Sequence, residues 1–85
     1  AKNKIELSDK ALIDKILDEI KNVYAAEDIN TIDGVKISFE ARKEWVHLRR
    51  SNTEPIIRIY AEAATKEAAD ALAQQIIDIA ESIIK

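Results

Sequence analysis

The sequence contains no cysteine and no methionine, and only one glycine, one proline, one histidine and one tryptophan. Without cysteine, disulfides and thiolate metal sites are excluded, and a single histidine leaves little from which to build a metal site. No apolar run approaches membrane-spanning length, and no charged-then-apolar leader opens the chain. These absences favour a soluble, cytoplasmic protein with no membrane partner. A chain that begins at Ala1 without any methionine indicates a processed protein or a domain cut from a longer one.

The charge is distributed unevenly along the 85 residues, which are enough for one domain spanning residues 1–85. The net charge of −3 argues against nucleic acid as a partner, because binding a phosphate backbone needs a broad basic surface. Residues 36–60 nevertheless carry a local charge of +3, and all four arginines lie between positions 42 and 58. Because arginine suits planar contact with carboxylate or phosphate, this asymmetry indicates a small anionic ligand.

Hydrophobic periodicity predicts two helices and several short strands. Helical spacing predicts a one-sided helix ending near Ala25, capped by Ser8, and a second helix over residues 66–85, capped by Thr65. Strands are predicted over residues 4–7, 29–32, 35–39, 45–49 and 56–62, with Asp33-Gly34 as a hairpin turn and residues 41–44 as a further turn. This order favours an α+β fold: an antiparallel four- to five-stranded sheet with both helices on one face and the other face open.

The second predicted helix has an unusually wide apolar face. Two neighbouring rows cover about half of its circumference, which is more than a minimal core stripe needs. The rows are Ala69, Leu72, Ile76, Ile79 and Ile83, and Ala73, Ile77, Ala80 and Ile84. We expect Ala73, Ile77 and Ile84 to face partly outward, where another domain of a longer protein would cover them.

The stretch RRSNTEPIIRIY, residues 49–60, combines arginines with a polar turn. Strand alternation places Arg49 and Arg58 on the open face, on either side of the loop. Guanidinium groups beside neutral donors suit a phosphate monoester. The neutral donors of the loop are the Ser51 and Thr53 hydroxyls, the Asn52 amide and backbone N–H groups. No activated nucleophile, acid–base pair or metal cluster accompanies them, so we predict no catalytic residue, metal ligand or cofactor in this chain.

The residues alone are also compatible with three roles that involve no sugar phosphate. A polar hairpin loop with arginines kept on an edge for solubility fits the pattern about equally well, and it suits Arg42 and Arg50 better. A stand-alone small-anion or nucleotide/RNA-binding module could use Trp45 and Tyr60 for stacking, although the acidic total speaks against it. A structural interaction domain is a third possibility. His47, without an identifiable carboxylate partner, is interpreted as a surface residue.

The run RRSNTEPIIRIYAE, from Arg49 to Glu62, resembles the phosphate-binding signature of the C-terminal domain of the phosphoglucomutase/phosphomannomutase (phosphohexomutase) family. Asp33 to Ile37 and Trp45-Val46 resemble the same domain in the same order, and the similarity covers nearly the whole chain. The resemblance implies the TBP-like α+β fold of that domain. It also implies an isomerase that interconverts hexose 1-phosphates and hexose 6-phosphates through a phosphoserine and a bisphosphate intermediate.

The resemblance further implies roles for individual residues. Arg49, Ser51, Asn52, Thr53 and Arg58 match the phosphate-contacting positions, and Glu54 and Pro55 match the loop-shaping ones. The phosphoserine loop, the magnesium-binding aspartates and the sugar-selecting loop have no counterpart here. The isolated chain is therefore expected to be monomeric and inactive, with Mg²⁺ and the other domains belonging to the full-length enzyme. The hexose phosphate stays open between glucose, mannose and glucosamine forms, with Asn52 favouring the first two.

Overall fold

The computed structural model describes residues 2–7, 9, 11–31, 34–51 and 55–84. Its elements, in chain order, are β1 (Lys2–Glu6), α1 (Ala11–Val23), β2 (Asp28–Asn30), β3 (Val35–Phe39), a short 3-10 helix (Glu40–Arg42), β4 (Glu44–Arg50), β5 (Ile56–Glu62) and α2 (Lys66–Ile84). The strands form one five-stranded antiparallel sheet in the order β1-β5-β4-β3-β2. The predicted α+β class is confirmed.

Helix α1 buries one apolar side and begins at an aspartate. The buried residues are Ile13, Ile16, Leu17 and Ile20. The Ala11 N–H donates to Asp9 Oδ1 at 2.9 Å, so Asp9 makes the capping contact that we expected from Ser8, which lies outside the described residues. The helix ends at Val23, slightly before the predicted Ala25, because the Ala25 N–H donates to the Asn22 carbonyl in a tighter final turn.

Helix α2 begins where the sequence predicts. The Ala68 N–H donates to Thr65 Oγ1 at 3.1 Å, which is the expected cap. The prediction that Ala73 faces outward is wrong, since Ala73 is 0 % exposed. An alanine side chain ends at Cβ, so a helix held close to a sheet buries it together with the neighbouring row. Ile77 is half-buried and Ile84 is 41 % exposed, so the outward apolar surface is confined to the C-terminal part of the helix.

The two faces of the sheet differ as strand alternation predicts. One face joins the buried residues of both helices in a single core, to which the central strands contribute Val35, Ile37, Phe39, Val46, Leu48, Ile57, Ile59 and Ala61. The opposite face carries half-buried or exposed polar and aromatic side chains: Trp45, His47, Arg49, Arg58 and Tyr60. Both helices therefore pack on one face and leave the other, the open face, uncovered within the described residues.

The connection between β2 and β3 packs closely against β4. Strand β2 ends at Asn30, earlier than predicted, and Ile32 and Asp33 lie outside the described residues. Gly34 has φ 81°, a conformation that favours glycine. A Cβ at this position would overlap the Leu48 carbonyl oxygen and lie 3.3 Å from Arg49 Cα. Only glycine therefore lets this connection approach the part of β4 that carries Arg49.

Candidate functional site

Arg49 and Arg58 lie directly opposite each other on β4 and β5. Both residues are exposed on the open face, as strand alternation predicts. Like charges that face each other across two strands destabilise a sheet, because their side chains are close enough to repel. A bound anion placed between the guanidinium groups would turn this repulsion into two charge-assisted contacts.

The hairpin that joins these strands is fixed at both ends of its loop. The Ser51 N–H donates to the Ile56 carbonyl at 3.1 Å, which extends the pairing of β4 and β5 by one step. The Pro55 carbonyl accepts a hydrogen bond from the Leu7 N–H at 2.8 Å, which ties the loop exit to the residue after β1. The structure thus brings Arg49, Ser51 and Arg58 to one end of the hairpin. The other predicted loop residues, Asn52, Thr53 and Glu54, lie outside the described residues.

Arg50 belongs to a different surface from the other two arginines. Its Nη1 donates to Asp14 Oδ1 on α1 at 2.8 Å, and both side chains are about half exposed or more, at 48 % and 66 %. This contact places Arg50 on the covered side of the sheet, as strand alternation requires when Arg49 lies on the open face. Arg50 therefore connects the hairpin to α1, and exposed pairs of this kind contribute at most about 1 kcal/mol.

Strand β1 brings two lysines to the open face that the sequence reasoning did not assign to the site. The sheet register places Lys4 opposite Arg58 and Lys2 opposite Tyr60. An open pocket of about 460 Å³ lies there, lined by Lys2, Asn3, Lys4, Arg58 and Tyr60. The sequence predicts a strand over residues 4–7, whereas β1 spans Lys2–Glu6. This local pattern contains no information about which strand lies beside it.

The remaining polar and aromatic residues of the open face lie beside this group. The residues directly opposite His47 on the neighbouring strands are Tyr60 and Lys36. Lys36 Nζ lies 4.8 Å from the centre of the Trp45 ring. This ammonium group occupies a face of the ring that base stacking would use, which weakens the interpretation as a nucleic-acid-binding sheet.

Tyr24, which lies away from the arginine pair, has a shifted pKa. Burial raises the pKa of Tyr24, and the Arg42 guanidinium partly opposes that rise. The Tyr24 ring packs edge-on against Phe39, with ring centres 5.6 Å apart. Phe39 pairs with Glu44 at the opposite end of β4 from Arg49. We therefore attribute the pKa shift of Tyr24 to core packing and give it no functional role.

A metal-binding cluster and a helix able to cross a membrane are both absent from the described part of the chain. Its His, Asp and Glu side chains form no group of three or more that could hold a metal ion. Neither α1 nor α2, over the ranges given above, has the length and apolar character that crossing a membrane requires. What the described residues do bring together is a set of hydrogen-bond donors and positive charges suited to binding an anion.

The chain is similar to a known domain family over most of its length. Residues 3–79 match the model of the phosphoglucomutase/phosphomannomutase C-terminal domain. A probable phosphoglucosamine mutase of Pyrococcus horikoshii is 41 % identical over 80 residues, which are 94 % of this chain and 17 % of that protein. A phosphoglucosamine/phosphogalactosamine mutase of Sulfurisphaera tokodaii is 38 % identical over 82 residues, covering 94 % and 18 % of the two chains.

A relative named for other sugars matches over a similar range. The phosphoglucomutase/phosphomannomutase of Thermococcus kodakarensis is 36 % identical over 84 residues, which are 99 % of this chain and 18 % of that protein. The chain thus spans less than one fifth of the length of these relatives.

Proposed function

Because this chain belongs to the family of the phosphoglucomutase/phosphomannomutase C-terminal domain, we propose that it is the domain of a phosphohexomutase that binds the substrate phosphate not undergoing transfer. The parent enzyme interconverts hexose 1-phosphate and hexose 6-phosphate through a phosphoserine and a bisphosphate intermediate. Residues 1–85 form one domain of that longer protein. The observation that carries the proposal is the register that sets Arg49 opposite Arg58 on the open face, beside the loop that begins at Ser51.

The binding mode follows from the chemistry of these groups. Each guanidinium can donate two parallel N–H bonds to phosphate oxygens, which fixes the position of the phosphate as well as neutralising it. The Ser51 hydroxyl, together with Asn52 and Thr53, supplies neutral donors for the remaining lone pairs. Glu54 and Pro55 shape the loop. We call Arg49, Ser51, Asn52, Thr53 and Arg58 the phosphate cradle.

The domain contributes binding and orientation, while the chemical steps belong to the rest of the parent enzyme. A correctly placed non-reacting phosphate supplies binding energy that holds the sugar for transfer at its other end. The resemblance assigns Mg²⁺ to another domain of the parent, because this sequence has no counterpart of the family's magnesium-binding aspartates. The isolated chain is therefore inactive as a mutase.

The substrate class is a hexose phosphate. The relatives are named for glucosamine, galactosamine, glucose and mannose phosphates, at similar identity to this chain. Such a spread of names is what a domain that contacts mainly the phosphate would produce. Selection of the sugar is accordingly assigned to other domains.

Backbone amide chemical shifts during titration with inorganic phosphate or glucose 6-phosphate test the cradle. We expect the amides of Arg49, Ser51 and Arg58 to move with one common binding curve. Arg42→Ala is a matched control, because it removes the same charge from an exposed arginine paired with Glu44, away from the loop. Silence at residues 49, 51 and 58 up to high ligand concentration, or equal weakening by Arg42→Ala and Arg58→Ala, would contradict the proposal.

A further inference from the structure

Three positive charges lie in one row across the open face. Arg58 on β5 is opposite Arg49 on β4 and opposite Lys4 on β1. Neighbouring strands are about 4.8 Å apart, so the row extends over roughly 10 Å. The row has two gaps between neighbouring charges, and a phosphate between Arg49 and Arg58 would occupy only one of them. The gap between Arg58 and Lys4 likewise has a cation on each side, and an anion placed there would contact both.

The pocket described above opens on the β1 side of this second gap. Its lining residues on the open face carry ammonium, guanidinium and phenol groups, from Lys2, Lys4, Arg58 and Tyr60. Its volume of about 460 Å³ lies within the range of small-molecule sites. A lining so rich in donors complements a ligand rich in oxygen acceptors and negative charge. The pocket shares Arg58 with the cradle but contains neither Arg49 nor Ser51.

Edge protection and a local ion pair are two simpler roles for the lysines of β1. Lysines on an edge strand discourage pairing with other chains, and β1 is an edge strand. Lys4 also forms an ion pair with Glu6 at 3.3 Å, but both side chains are more than half exposed, at 58 % and 71 %. An exposed pair of this kind is weak and gives way to a better anion. Neither role accounts for the placement of Lys4 directly opposite Arg58 beside a pocket.

We propose that Lys2 and Lys4, with the shared Arg58, form a second phosphate-binding position next to the cradle, the β1 site. The inference rests on the proposed function, because Arg58 belongs to both positions. Its ligand is a phosphate group separate from the one in the cradle, which is either free inorganic phosphate or the phosphate of a second sugar phosphate molecule. The ammonium groups provide charge, and Tyr60 provides a neutral donor to the phosphate oxygens.

Amide shifts of residues 2–6 and 60, followed during titration with inorganic phosphate, test the β1 site. We expect these amides to move, and Lys4→Gln to weaken their response about two- to fivefold. The amides of residues 49 and 51 should keep their own affinity in this variant. Lys15→Gln, which makes the same change on the exposed side of α1, should leave both sets unaltered. An unchanged spectrum elsewhere shows that each variant retains the fold.

Titration with glucose 6-phosphate identifies the source of the phosphate. A response of the β1 amides to both ligands indicates a site that also accepts a sugar phosphate, and a response to inorganic phosphate alone indicates a site for the free ion. Both results support the β1 site. Unchanged shifts of the β1 amides, or equal weakening of phosphate binding by Lys4→Gln and Lys15→Gln, would overturn the β1 site. A response at residues 49 and 51 in the same titration would still support the cradle. Silence at residues 49, 51 and 58 would instead overturn the proposed function.

Discussion

Arg58 is the residue on which both proposed anion positions depend. It lies between Arg49 and Lys4 in the register of the sheet, and its side chain is exposed on the open face. A guanidinium in this place differs from an ammonium by its planar fork, which can contact two oxygens of one phosphate at once. Its replacement should therefore affect binding through geometry as well as through charge.

We predict that Arg58→Ala weakens phosphate binding by the isolated chain roughly five- to tenfold, which corresponds to about 1–1.4 kcal/mol. Arg58→Lys should weaken it nearly as much, because the charge remains and the forked contact is lost. Calorimetric or amide-shift titration measures both affinities. Full binding by Arg58→Lys would show that charge alone suffices.

The backbone conformation of Gly34 leads to a second prediction about a single residue. We expect Gly34→Ala to destabilise the chain by about 1–3 kcal/mol, since the residue has φ 81° and its new Cβ would overlap the Leu48 carbonyl oxygen. Urea unfolding measures the change. The exposed neighbour Thr31 provides a control, because Thr31→Ala should stay within about 0.5 kcal/mol. Similar stabilities for the two variants would refute the close approach of this connection to β4.

At the scale of elements, local patterns predicted most of the structure and long-range pairing accounts for what they missed. The alternation of Val35, Ile37 and Phe39 and the Thr65 cap depend on near neighbours, so the sequence contains them. The position of β1 beside β5 pairs residues that are 50 to 58 positions apart, and no spacing within either strand encodes it. Lys2 and Lys4 were missed for that reason. The burial of Ala73 likewise depends on how closely α2 approaches the sheet.

The contribution of the Thr65 cap to the stability of α2 can be tested by substitution. We predict that Thr65→Ala lowers the free energy of unfolding by about 1 kcal/mol, because the Ala68 N–H loses its side-chain acceptor. Ser82→Ala is the matched control in the same helix, since the Ser82 hydroxyl donates to a carbonyl in the exposed last turn. We expect that change to cost less than about 0.5 kcal/mol. Equal effects would argue against Thr65 as a stabilising cap.

For the molecule as a whole, stability depends on one core between the sheet and the two helices. Ile76 and Ile84 lie on the same helix with 0 % and 41 % exposure. We predict that Ile76→Ala costs about 2–5 kcal/mol and Ile84→Ala clearly less, as measured by denaturant unfolding. If another domain of the parent enzyme covers the end of α2, the two variants should lose more similar amounts of unfolding free energy in that enzyme. A large loss for Ile84→Ala in the isolated chain would contradict its exposed position.

The predicted lack of activity also belongs to the whole molecule. We expect the purified chain to show no conversion of glucose 1-phosphate, with or without Mg²⁺, while it still binds phosphate. The reason is that its proposed role is to hold a phosphate, and the sequence contains no counterpart of the phosphoserine loop. A coupled assay for glucose 6-phosphate measures turnover. Magnesium-dependent conversion by the isolated chain would refute the division of roles between domains.

The hydrogen bond from Leu7 N–H to the Pro55 carbonyl would couple the proposed phosphate binding to local unfolding of β1. Strand β1 is an edge strand, and edge elements open more readily than the centre of a sheet. When β1 detaches, the loop exit loses this contact and the row of charges loses Lys4. The observed dissociation constant is then the intrinsic one divided by the fraction of molecules with β1 attached. Hydrogen exchange at the Leu7 amide would therefore report the conformational free energy that phosphate binding must supply.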